Sequence, residues 1–400
     1  MVQIETFAVE AWMDAHENNC THNIAETCCA SISIDQLREL SEDKSSREIF
    51  QTSEPLTYGA IRGSDELRNS LSRLYSAKGT PLPAENILST PGAIQANYLC
   101  AYALVGNSDH VICHFPTYQS LYEIPKQLGA SVSLWKASAE GKWIPSISDL
   151  KSLVQPNTKL IIINNPNNPT GAVLGKPFLQ QVIDVAAEND IAILCDEVYR
   201  PIFHSINPLD SDFPPSLLSM GYKKAIVTGS MSKAYALAGI RVGWIASRDP
   251  EIVEKIAEAR HYTTISVSQL DERVAAYALH PNTIHSLLAR NIQLAKTNLE
   301  LLQKFIIKNE DECEWVKPLA GTTAFVKFYR EGKAVDSTDF CKKLVEKTGV
   351  LFVPGNECFG EDFKGYVRIG FVNHTEIVKD GLSKVTQFLR KELDNVRLAE

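Results

Sequence analysis

One lysine stands out by its surroundings. Lys233 sits in Thr228-Gly-Ser-Met-Ser-Lys-Ala-Tyr-Ala-Leu-Ala-Gly-Ile-Arg-Val-Gly-Trp244, just past the apolar run Ala225-Ile-Val-Thr228. Burial disfavours the charged form of an amine and lowers its pKa. A lysine at a buried strand end can therefore be neutral and nucleophilic toward an aldehyde. Ser230 offers a hydroxyl and Arg241 a planar, permanently charged fork, a pair suited to a phosphate. Asp196 ends the apolar run Ile191-Ala-Ile-Leu-Cys195, where a carboxylate is costly to bury unless paired. Pro91-Gly-Ala-Ile-Gln95 follows a short apolar run and opens a helical pattern, and N–H groups at such a start bind anions. Each feature has an ordinary alternative: a surface lysine in a Ser/Gly loop, an N-capping aspartate, a plain strand-to-helix turn.

The lysine stretch resembles the cofactor-lysine motif of the fold-type I pyridoxal-phosphate enzymes of the class I/II aminotransferase family. The resemblance covers roughly residues 50 to 375. It implies that Lys233 holds pyridoxal 5′-phosphate as a Schiff base and, once displaced by an amino acid, moves the Cα proton as general base and acid. It assigns the cofactor phosphate to Ser230, Ser232, Arg241 and the backbones of Ala93 and Ile94. Tyr118, in Phe115-Pro-Thr-Tyr118, matches the aromatic that stacks on the ring. Asn164-Asn-Pro-Asn-Asn-Pro-Thr-Gly171 resembles the family's Asn-Pro-Thr-Gly signature. By that match Asn168, with Tyr199, hydrogen-bonds the ring oxygen, and Asp196 keeps the ring nitrogen protonated. Arg368, in Val367-Arg-Ile-Gly370, matches the arginine that clamps the substrate α-carboxylate. Tyr58, in Thr57-Tyr-Gly-Ala-Ile-Arg-Gly63, matches a tyrosine that reaches the phosphate of the neighbouring subunit. A homodimer with shared active sites is implied.

The match loosens in Asn23-Ile-Ala-Glu-Thr-Cys-Cys-Ala30, where similar enzymes carry a glycine-rich loop beside the substrate. Its Ile-Ala-Glu is similar to elements of aminocyclopropane-carboxylate synthases, capreomycidine synthases and pyridoxal-phosphate-dependent arginine oxidases. The main expectation is an aminotransferase; the alternative is a lyase, cyclase or oxidase acting on a basic, arginine-like amino acid. Residues 8 to 26 carry Glu10, Asp14, Glu17 and Glu26 without Lys or Arg. Closed over the site, Glu26 would favour a cationic substrate. The bland reading is a solvated acidic face.

The elements around these residues alternate. Strands are expected at 87–90, 110–114, 131–135, 159–164, 191–195, 225–228 and 242–246, with helices near 64–75, 95–105, 120–128 and 178–188. That rhythm predicts an α/β fold of the fold-type I transferase kind, with a mostly parallel central sheet. After about residue 280 a long helix (283–308), strands at 322–328, 350–353 and 366–371, and helices near 339–347 and 376–391 predict a smaller α+β domain. The expected division is 1–45, an N-terminal segment packing on the small domain and site; 46–280, the cofactor domain; and 281–400. A formal net charge of −8 gives no general attraction to nucleic acid or anionic membrane. No DNA-binding module, Walker A loop, GxSxG elbow or metal-spaced His/Cys cluster is visible. Nine scattered cysteines without a CxxC pair, no membrane-length apolar run and no signal peptide predict a cytoplasmic chain with reduced thiols.

Overall fold

The computed structural model describes residues 4–43, 48–50, 52–77 and 79–400. A seven-stranded sheet forms its larger part. β1 (Ile87–Thr90), β2 (His110–Phe115), β3 (Ser131–Lys136), β4 (Thr158–Asn164), β5 (Ala192–Asp196), β6 (Ala225–Ser230) and β7 (Gly243–Ser247) lie in the order β1-β7-β6-β5-β4-β2-β3. β7 runs antiparallel to β1 and β6; the remaining pairs are parallel.

Successive residues of a strand face opposite sides, and here both sides are covered. Leu160 and Ile162 of β4 join one core with Leu99 and Ile256, from helices Ala93–Leu104 and Pro250–His261. Ile161 and Ile163 join the other core with Val182 and Ile183, from helix Lys176–Glu188. The unbroken apolar reading of β4 follows from this double burial. The register also sets the chemistry. It places Asn164, Asp196 and Thr228 side by side across β4, β5 and β6. On the same edge it aligns Thr90, Gly243 and Ser230 across β1, β7 and β6.

A second, antiparallel sheet comprises β8 (Cys313–Trp315), β9 (Thr323–Arg330), β10 (Lys333–Ala334), β11 (Val353–Pro354) and β12 (Tyr366–Gly370). The 28-residue helix Pro281–Lys308 buries Leu287, Leu299 and Leu302 and packs on helix Thr375–Glu392. Pro281 stands in its first turn, where a missing N–H leaves no bond unmade. The preceding helix ends at Ala278, so the expected division at 280/281 lies at a break between helices. The other expected division, at 45/46, lies outside the described residues.

Three expectations need correction. Helices Pro250–His261 and Gln269–Ala278 are absent from the sequence reading, because charges interrupt their apolar spacing. In the helix expected near 64–75, Leu67, Leu71 and Leu74 recur at helical spacing, yet Leu67 and Leu71 are buried and Leu74 is 41% exposed. The 350–353 strand is two pieces, one of which leaves the small sheet to pair with the N-terminal segment. There His22–Asn23 runs parallel to Val350–Leu351.

The N-terminal segment continues along β12. Gly370 N donates to Ile24 O at 2.8 Å, and a Cβ on Gly370 would collide with the Glu26 carbonyl. We predict that Gly370→Ala destabilises the fold by about 1–3 kcal/mol, the usual range for overpacking. Proteolysis around residues 20–30 should quicken. An unchanged denaturant midpoint and an unchanged cleavage rate would show that the segment is not wedged there.

Candidate active site

The ends of β4, β5 and β6, the start of helix Ala93–Leu104 and the N-terminal segment enclose a cavity of about 520 Å3. Every candidate named from the sequence lines it except Tyr58, which is 84% exposed on a loop away from the cavity.

At the floor lies Asp196, 4% exposed. Asn97 Nδ2 donates to its Oδ2 at 2.8 Å and the Val198 N–H to its Oδ1 at 3.0 Å. Thr228 Oγ1 donates in turn to Asn97 Oδ1 at 2.7 Å. Burial pushes the Asp196 carboxyl up; these donors and the more distant Lys233 charge pull only partly against it. Asn97 is the residue that sequence reasoning missed. The only available signal is an amide in the mostly apolar stretch Ala93-Ile-Gln-Ala-Asn-Tyr-Leu-Cys-Ala-Tyr-Ala-Leu104, where Gln95 is a second.

The Asn-rich turn after β4 is held by its own amides. Asn164 Nδ2 donates to Asp196 O at 2.9 Å, and Asn164 Oδ1 accepts from the Asn168 N–H at 2.7 Å. Asn168 Oδ1 takes a long bond, 3.5 Å, from Arg368 Nη1, leaving its amide N–H groups for the cavity. Arg368 is 3% exposed; its Nη2 donates to Ala25 O at 3.1 Å, and its buried Nε has no partner. Burial also raises the Tyr199 phenol, which is 3% exposed.

The opposite end is built for close approach. Gly92, φ +85°, precedes helix Ala93–Leu104, and no side chain caps that helix start. A Cβ on Gly92 would stand 2.6 Å from Arg241 Nη2, and one on Gly243 would strike the Gly92 backbone. Arg241 Nη1 donates to Ser232 Oγ at 3.5 Å, and Ser230 Oγ accepts from the Ser232 N–H at 3.2 Å. Backbone donors, two hydroxyls and a guanidinium thus converge.

Lys233 departs from the sequence expectation of a neutral, low-pKa amine. Burial does work against its charge. The Cys28 sulfur at 3.3 Å and the Glu26 carboxylate at 3.6 Å outweigh burial, and its pKa is pushed up. For Glu26 burial works upward. The Lys233 ammonium and the N–H groups of Cys28 (2.9 Å) and Thr27 (2.6 Å) prevail and hold it at about 2. Burial raises the Cys28 thiol to about 11. The sequence places Glu26 near the site but gives no sign that it reaches the lysine.

Helix Ala8–His16 roofs the cavity. Phe7 packs on Tyr118 with ring centroids 4.9 Å apart, and Tyr118 OH donates to Glu10 Oε1 at 2.5 Å. Gln119 accepts from Ala8 N and donates to Thr6 O, each at 2.8 Å. Trp12 Nε1 donates to Phe352 O at 2.8 Å, which ties the roof to the small sheet's side as well. Among the described residues no helix is long and apolar enough to cross a membrane, and no His/Cys/Asp/Glu cluster could hold a metal ion. All nine cysteines are free thiols.

A family model described as aminotransferase class I and II matches residues 32–380. Over 331 residues the chain is 30% identical to capreomycidine synthase of Streptomyces vinaceus, covering 83% of this chain and 80% of that protein. It is 26% identical to an aspartate aminotransferase of Pyrococcus horikoshii, covering 84% and 83%. The crystal structure of a PLP-dependent aminotransferase from Streptococcus suis superposes with a TM-score of 0.88 at 37% identity, covering 97% and 98% of the two chains.

The buried relay Thr228–Asn97–Asp196 makes a stability prediction. Asn97→Ala strands a buried carboxylate oxygen and a buried hydroxyl. Such loss costs about 1–3 kcal/mol per unsatisfied group. A chemical-denaturation midpoint equal to that of the parent would refute the relay.

Proposed function

The chain belongs to the aminotransferase class I and II family, and from that premise we propose that Lys233 carries its cofactor and moves the proton of an amino transfer. The cofactor is pyridoxal 5′-phosphate, and the residues present fit it. Asp196 is the observation that carries the reading. It is a buried carboxyl with hydrogen-bond donors but, among the described residues, no ion-pair partner. A protonated ring nitrogen is the missing cation. The uncapped helix start, with Arg241, Ser230 and Ser232, fits a phosphate in the same way.

When bound, the cofactor supplies a protonated ring that draws off the electron pair left at the substrate's Cα. The chain does the rest. Arg241, Ser230, Ser232 and the N–H groups of Ala93 and Ile94 hold the phosphate end. Tyr118, fixed by Phe7 and Glu10, would offer its ring to the cofactor's. The Asn168 amide and the Tyr199 hydroxyl donate to the ring oxygen. Arg368, with an unpaired buried Nε, grips the α-carboxylate. Lys233 Nζ, free while substrate is bound, takes the Cα proton and returns it. Glu26 faces Nζ and the substrate, and the roof keeps water out.

The likeness to capreomycidine synthase favours a second reading, in which the same proton removal leads to elimination or cyclisation without a keto-acid acceptor. An amino-acid panel run with and without 2-oxoglutarate separates the two. Acceptor-dependent product is expected; acceptor-independent ammonia or cyclic product would favour the second reading, and oxygen consumption an oxidase. The purified protein should show cofactor absorption in the visible range, and Lys233→Ala should lose all borohydride-trapped cofactor. Trapping at another lysine would overturn the assignment.

We further infer a homodimer with Tyr58 reaching its partner's phosphate. Leu56, Tyr58, Ile61 and Tyr262 are 53–86% exposed, an apolar surface suited to a second copy. The chain should sediment at twice its 44.4 kDa mass. Leu56→Asp with Tyr262→Asp should yield monomers with weakened cofactor retention; a parent monomer with full activity would exclude the shared site.

A further inference from the structure

We propose that a hydroperoxide joins Cys28 to Lys233 through a reversible sulfur–nitrogen bond, and that this cross-link withholds the lysine from cofactor. The bond itself is independent of the proposed reaction; only its consequence rests on Lys233 as the cofactor's anchor.

The observation is a pair of nucleophiles, not a thiol alone. Cys28 Sγ stands 3.3 Å from Lys233 Nζ, and both residues line the cavity. The cavity gives a small oxidant a path to the sulfur. Cys28 is half-buried, whereas Cys29 and six further cysteines are buried. Cys20, the other half-buried thiol, donates to Glu17 O at 3.2 Å and does not line the cavity. Backbone bonds hold the pair in place. Cys29 N donates to Lys233 O at 3.3 Å and Ile32 N to Ala236 O at 3.2 Å, so the N-terminal segment and the lysine loop run side by side. The Glu26 carboxylate, which accepts from the Thr27 and Cys28 N–H groups, lies 3.6 Å from Nζ. Sulfur, amine and a proton acceptor thus meet at one point. Rotation of the lysine's flexible stem closes the remaining gap.

The chemistry balances in two steps. The Cys28 sulfur takes the terminal oxygen of the hydroperoxide. The O–O bond breaks and an S–O bond forms; sulfur is oxidised to a sulfenic acid, and the peroxide is reduced to water or an alcohol. Lys233 Nζ, its extra proton passed to Glu26, then attacks that sulfur. The S–N bond forms, the S–O bond breaks, and the hydroxyl leaves as water with a second proton from the nitrogen. Sulfenic acids condense with backbone nitrogen in the same way. An added thiol reverses the change: it is oxidised to its disulfide, and the Cys28 thiol and Lys233 amine return. Burial raises the Cys28 thiol to about 11, so little thiolate stands ready at neutral pH and the first step is slow. Once Nζ carries the cofactor it is not free to attack, so loaded chains oxidise without cross-linking.

The test treats the full-length chain with hydrogen peroxide, as holoenzyme and again after cofactor release, and maps tryptic peptides by mass. Trypsin does not cut at a capped lysine, so the cross-link joins residues 1–38, which end at Arg38, to residues 225–241, which end at Arg241. The joined mass should fall two hydrogens below the sum of the two peptides. Fragment ions should place the bond between Cys28 and Lys233, and dithiothreitol should part them. The joined peptide should be at least about tenfold more abundant without cofactor than with it. Cys28→Ser should abolish it, and Cys29→Ser should leave it within about twofold of the parent. Borohydride-trapped cofactor on the treated chain should fall in step with cross-linking and recover with dithiothreitol. Cys28 oxidised to sulfur acids with Lys233 unmodified, or a joined peptide that persists in Cys28→Ser, would overturn the inference. A cross-link that forms while trapping stays whole would leave the bond standing and sink the proposed role of Lys233.

Discussion

The structure turns on one buried carboxylate. Asp196 stands at the end of a central strand, where its charge can persist only if it is hydrogen-bonded and paired. The fold supplies the hydrogen bonds by register: Thr228 and Asn164 flank it on neighbouring strands, and Asn97 reaches it from a helix start. The fold does not supply a cation. That deficit selects a protonated heterocycle as the partner, and the open helix start at the other end selects an anion.

The second constraint is the N-terminal segment, which closes the site by touching both sheets' sides. Residues 6–10 fasten to Tyr118 and Gln119, Trp12 to Phe352, and residues 23–26 to Arg368 and Gly370. Further along, Cys29 N and Ile32 N donate to Lys233 O and Ala236 O, so the segment also buttresses the lysine loop. Roof, Arg368 and the lysine loop thus share one strap. Movement of the strap would change access to the cavity and the surroundings of Arg368 and Lys233 together.

The central sheet was legible because a doubly covered parallel sheet writes itself as apolar runs, and because the polar residues ending those runs have no structural excuse. Asp196, Asn168 and Lys233 drew notice that way, and the structure brings all three to one cavity. What stayed hidden depended on distance in sequence. Nothing in the composition of the stretch around Asn97 tells that its amide meets Asp196, 99 residues away. The Lys233 pairing with Glu26 is likewise long-range, and it reverses the sign expected from burial alone. Helices Pro250–His261 and Gln269–Ala278 escaped because their contacts, not their periodicity, decide which face is buried. The role the resemblance implies for Tyr58 lies in another subunit, and within one chain its side chain is 84% exposed.

The Lys233 result reconciles two demands on one amine. A nucleophile must shed its proton, yet a neutral lysine beside Glu26 would leave that half-exposed carboxylate with only the Thr27 and Cys28 N–H groups to meet it. In the free chain each charge stabilises the other, which is why the amine is pushed up and Glu26 is held at about 2. Linking the amine to a cofactor breaks this arrangement and releases a carboxylate toward the cavity. Cofactor attachment is therefore coupled to the state of Glu26: the group that steadies the resting lysine loses its ammonium partner when the amine is linked.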